Sequence, residues 1–103
     1  MNFLGFFALG GTLSGLFQAT GSNGLPAAAD ALPTFRIYGP GGLMSNGTGT
    51  CSAFDASNVT GLYKFTVPLN GGDGYARGGT YTVRVLATVS AAAQVGMFSF
   101  VVA

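Results

Sequence analysis

The stretch Thr80–Val89, TYTVRVLATV, constrains this chain more than any other. Tyr81, Val83, Val85, Ala87 and Val89 fall on one side; Thr80, Thr82, Arg84 and Thr88 fall on the other, with Leu86 the single apolar residue among them. A sustained period of two describes a half-buried β-strand, begun by Gly78-Gly79 and ended around Ser90–Ala93. Such a strand must meet partners whose apolar faces match its own.

The rest of the chain supplies them. Asn2–Leu9 and Thr12–Thr20 read as strands around a Gly10-Gly11 turn, the second with Leu13, Phe17 and Ala19 opposite Thr12, Ser14, Gln18 and Thr20. Gly15 inside it marks a bulge or a close approach by a backbone or large side chain, and the bulge is the commoner cause. Gly21–Leu32 reads as a loop crossing between sheets, in which Pro26 resists ladder pairing and Ala27–Leu32 has room for one helical turn at most. Thr34–Tyr38 is a third strand, with Phe35 and Ile37 on one face. Leu43–Ala56 reads as a short edge strand on each side of a flexible loop. Leu62–Val67 is a strand closed by Pro68. Gln94–Val102 is the last, with Phe98, Phe100 and Val102 facing one way and Met97, Ser99 and Val101 the other.

Short strands, frequent glycine turns and no 3.6-residue apolar stripe predict one domain over residues 1–103. That domain is an all-β antiparallel sandwich of about seven strands, with no helix longer than about two turns. Its expected core is Phe17, Phe35, Ile37, Tyr63, Phe65, Tyr81, Val83, Val85, Phe98 and Phe100. Burying each is worth about 1.5–3 kcal/mol.

Charge excludes several roles. Charged residues make up 7% of the chain: Arg36, Lys64, Arg77 and Arg84 against Asp30, Asp55 and Asp73. Four dispersed cations make no phosphate-binding footprint, so no nucleic-acid partner is expected. Met1–Phe17 is apolar but lacks a basic flank, is interrupted by glycines and falls short of the ~20 residues a spanning helix needs, so it reads better as two strands, with a secretion signal as the weaker alternative and no membrane partner expected. There is no His and no Glu, the three aspartates fall in different loops, and Cys51 has no activating partner. No catalytic residue, cofactor or metal site is therefore assigned, and the chain is not read as an enzyme. Asp73 and Asp55 read as turn residues rather than calcium ligands. Gly39-Pro40-Gly41-Gly42 lacks the ending of a phosphate loop. The Asn46-Gly47-Thr48 and Asn58-Val59-Thr60 triplets are read as chance sequons. Tyr38, Tyr63 and Tyr75 are the candidates for an aromatic sugar-binding platform, a second functional class.

So little charge suits a covered surface better than a free one. Met1–Leu9 carries Phe3, Leu4, Phe6, Phe7 and Leu9 with no charge, and the closing strand adds Met97 and Val101 on its outer side. These seven are the candidate interface residues, expected to pack against identical copies, as a trimer around a symmetry axis, or against a larger assembly.

Some segments taken together resemble the small immunoglobulin-like structural proteins of tailed bacteriophage virions. They are Thr12-Leu13 with Leu16-Phe17, Gly24 with Pro26, Phe35 with Ile37-Tyr38, Gly61-Leu62-Tyr63 with Phe65 and Val67, Gly78-Gly79-Thr80-Tyr81 with Val83, and Phe98 with Phe100. The resemblance implies an immunoglobulin-like sandwich located in the virion. It implies a capsid decoration or cement protein that contacts the major capsid protein, with a tail or connector subunit, or a carbohydrate-binding adhesin module, as alternatives.

Overall fold

The computed structural model describes residues 2–103. Eight strands form two layers: β1 (Asn2–Phe7), β2 (Thr12–Gln18), β3 (Thr34–Gly39), β4 (Gly42–Thr50), β5 (Ser52–Ala53), β6 (Leu62–Pro68), β7 (Thr80–Val89) and β8 (Ala92–Val102). A five-stranded sheet runs in the order β1-β8-β7-β3-β4, and a three-stranded sheet runs β2-β6-β5. The second, fifth and sixth strands thus share one layer and the first, third, fourth, seventh and eighth the other, the two layers of an all-β sandwich. A single 3₁₀ turn, Gly71–Asp73, is the one helical element among the described residues. The sheets are not wholly antiparallel, because β1 pairs in parallel with β8. Leu43–Ala56 is not two strands around a loop, because Gly42–Thr50 is one strand paired along β3 and only Ser52–Ala53 follows it.

All ten residues expected inside are buried, joined by Leu13, Val67, Leu69, Tyr75, Val89 and Val102. Phe65 lies at the centre, its ring centroid 6.0 Å from that of Phe35 and 5.4 Å from that of Phe98. Gly15 is explained by the same ring. The β2–β6 register runs through Gly15 without a break, and a Cβ there would stand 2.3 Å from Phe65 Cζ, so the glycine makes room for a ring and not for a bulge. On the other side of the core the Phe35 ring lies over Gly49 of β4, where a Cβ would stand 2.5 Å from Phe35 Cζ.

Several polar groups tie segments distant in sequence. Asp30 accepts the backbone N–H groups of Ser90 (3.0 Å) and Ala91 (2.9 Å), the two turn residues between β7 and β8. Both have positive φ, 49° and 65°, the combination of a type I′ turn that usually takes Asn and Gly. Asp73 accepts the Asn46 side-chain amide at 2.8 Å, anchoring the irregular part of β4. Asp55 accepts from the Asn58 side chain within a local turn, as expected. Pro26 does enter a ladder-like contact, an isolated bridge with Thr20 closed by the Ala27 N–H to Ala19 O bond.

Two neighbouring tyrosines test what a buried hydroxyl contributes. Tyr81, at the start of β7, accepts the Ala76 N–H at 2.9 Å, which makes it a tyrosine corner. Tyr75 packs against it with ring centroids 5.1 Å apart, and its buried hydroxyl has no partner among the described residues. Burial, then the Asp73 carboxylate and Tyr81, push the Tyr75 pKa from 10.0 up to about 12. Tyr81→Phe is expected to cost about 1–2 kcal/mol because the Ala76 amide loses its acceptor, while Tyr75→Phe leaves stability unchanged or raises it by up to about 1 kcal/mol. Urea unfolding of both variants checks this. Since the folded pKa of Tyr75 is raised, its share of stability is present in full below pH 10 and is lost as pH climbs towards 12, so Tyr75→Phe flattens the alkaline limb.

Candidate interaction surface

The exposed large apolar side chains concentrate on the outer face of the five-stranded sheet. Register sets them in rows across the strands. Thr80, Val101 and Phe6 form one row; Leu43, Tyr38, Thr82, Ser99 and Phe3 form the next. Thr48, Arg36, Arg84 and Met97 form the third, and Thr50, Thr34, Leu86 and Val95 the fourth. Phe6 is 70% exposed, Phe3 57% and Val95 48%, values that side chains without a covering partner seldom reach together.

The aromatic pair owes its position to one glycine. Register shifts between Phe3 and Gly5, where Gly5 has φ 114°, and the inserted Leu4 lets Phe3 and Phe6 share the outer face. Their rings meet edge to face, 5.6 Å between centroids. Leu4 and Phe7 turn inward, and Phe7 meets Phe100 edge to face at 6.1 Å.

The seven candidate residues therefore divide. Phe3, Phe6, Met97 and Val101 lie on the outer face, and the structure brings them together at its β1–β8 side. Leu4, Phe7 and Leu9 are partly buried against the domain's own core. What sequence reasoning missed is the third row. Arg36 and Arg84 stand directly opposite each other on β3 and β7, a like-charged pair that cross-strand neighbours ordinarily avoid.

The other candidates separate as well. Tyr63 is buried, and its hydroxyl accepts the Ala29 N–H at 2.9 Å to pin the crossover loop. Tyr75 is buried too, leaving Tyr38 half-exposed beside Thr82, so the three tyrosines form no platform for a sugar. Cys51 is 1% exposed, and burial raises its thiol pKa to about 11, which leaves it protonated and unreactive at neutral pH. On the opposite sheet, Phe54 and Leu16 are exposed singly, Phe54 with the Lys64 ammonium 6.0 Å from its ring centroid.

No family model, curated protein or solved structure matches this chain.

Proposed function

We propose that the chain is a structural virion protein that decorates or cements a phage capsid, docking on shell subunits through the outer face of the five-stranded sheet. The observation that carries the docking is the exposed Phe3–Phe6 pair continuous with Val101, Met97 and Val95. Exposed aromatics grouped on a rigid sheet are the side chains that anchor protein interfaces. The virion setting follows from the resemblance of the strand and turn pattern. Self-association as a trimer fits the same reading where it uses the free edge of β1 and leaves the face open.

The test is co-sedimentation with shells assembled from the major capsid protein of a tailed phage. Phe3→Ser with Phe6→Ser is expected to weaken binding at least about tenfold, the loss of a hot spot, while the unfolding midpoint stays close to that of the parent because both rings are exposed. Parent protein that binds neither shells nor tails would overturn the proposal, as would a double variant that binds as tightly as the parent.

A further inference from the structure

The outer face carries a charge arrangement that the domain does not use for itself. Arg36 on β3 and Arg84 on β7 are register partners, so their side chains leave the same face from adjacent strands. Half of the four cations in the chain are placed side by side there. The three aspartates are the only acidic side chains, and each is engaged elsewhere: Asp30 with the Ser90 and Ala91 amides, Asp55 with Asn58, Asp73 with Asn46. Neither arginine thus has a carboxylate partner among the described residues. Like charges opposite each other in a ladder work against the sheet. An anion bridging the two would reverse that sign, and the planar fork of a guanidinium suits the two oxygens of a carboxylate.

The surroundings complete the site. Thr48 flanks Arg36 and Met97 flanks Arg84 in the same row, with Thr82 and Thr34 in the rows on either side. Hydroxyl groups and two guanidinium groups thus share one patch of this face, bordered by the exposed apolar residues. The patch also decides what can cover the face. A second copy laid face to face about a two-fold axis through this patch would bring four guanidinium groups into the same apolar contact with no acid to neutralise them, a strong repulsion once water is excluded.

We infer that Arg36 and Arg84 form a clamp for an aspartate or glutamate side chain of a different protein, and that this pairing sets the register in which the apolar face docks. The inference rests on the docking reading, but the clamp can be measured without the shell. The probe is a blocked tetraglutamate peptide, titrated into the full chain at low salt while the arginine Nε–H and backbone amide resonances are followed by NMR. Arg36, Arg84, Thr48 and Thr82 are expected to shift together and saturably, with the effect fading as salt rises. Arg36→Gln or Arg84→Gln is expected to weaken the peptide about tenfold, while Arg77→Gln, which removes an equal charge from a loop, leaves it unchanged. An unaltered amide spectrum outside the face shows that each variant is folded. Equal losses from all three variants, no shift on this face, or saturation by inorganic phosphate but not by the peptide would each overturn the clamp. Shell binding that fails while the peptide result holds removes the capsid setting and leaves the clamp standing.

Discussion

Phe65→Ala is expected to destabilise the domain by about 3–5 kcal/mol, a large part of the roughly 5–15 kcal/mol that holds a small domain folded. Phe65 is fully buried, touches Phe35 and Phe98 across the sandwich and covers Gly15 in the neighbouring strand. Truncation removes the contact between the sheets at their centre and leaves a hole that rigid strands cannot close. Equilibrium urea unfolding measures the loss, and a change below about 1 kcal/mol would show that the ring is not the keystone described above. The pairing with Gly15 makes a sharper demand. Gly15→Ala alone places a Cβ against the ring and is expected to cost about 1–3 kcal/mol, but in the Phe65→Ala background it costs little or stabilises, so the double-mutant cycle shows strong coupling.

Gly61→Ala is expected to be nearly as damaging for a different reason. Gly61 is buried with φ 78°, and its carbonyl accepts the Ala19 N–H at 2.8 Å. A Cβ there would stand 2.2 Å from the Ala27 carbonyl oxygen, and that oxygen belongs to a backbone that cannot swing aside. The left-handed conformation costs about 1–2 kcal/mol and the backbone clash about 1–3 kcal/mol, giving about 2–5 kcal/mol in all. Thermal unfolding should show a fall of more than about 8 °C. A variant that melts within a degree or two of the parent would mean that the crossover loop yields more readily than this packing suggests.

Strands whose own side chains alternate were legible: the ten expected core residues follow from the period of two in β3, β6, β7 and β8, with Phe17 of β2 beside them. β4 was not legible, and the reason is physical. Its inward positions include Gly47 and Gly49, because the Phe35 ring of β3 occupies the space a Gly49 side chain would need. The apolar half of the pattern is thus supplied by the neighbouring strand. Gly15 was ambiguous on the same ground, since a ring arriving from Phe65 leaves no mark in the sequence around the glycine. The β1 bulge depends on Leu4 being the inserted residue, which decides that Phe3 and Phe6 face outward while Phe7 faces inward. Sequence alone treats the five apolar residues of this segment alike. The Arg36–Arg84 pair was invisible because register between β3 and β7, two strands some fifty residues apart, brings it about.

The parallel pairing of β1 with β8 gives the chain a particular order of events as it is made. Phe3 pairs with Ser99 and Phe7 with Val102, so the segment synthesised early in this sequence finds its neighbour only when the last strand appears. At ribosomal speed that delay is roughly 5–20 s, far longer than local collapse requires. Until then β1, with its apolar residues, waits unpaired. For that interval the strand that carries the exposed aromatic pair is an open, sticky end, available to chaperones or to a neighbouring nascent chain. The larger sheet cannot close at β1 until β8 is in place, and that pairing sets Phe3 and Phe6 on the outer face.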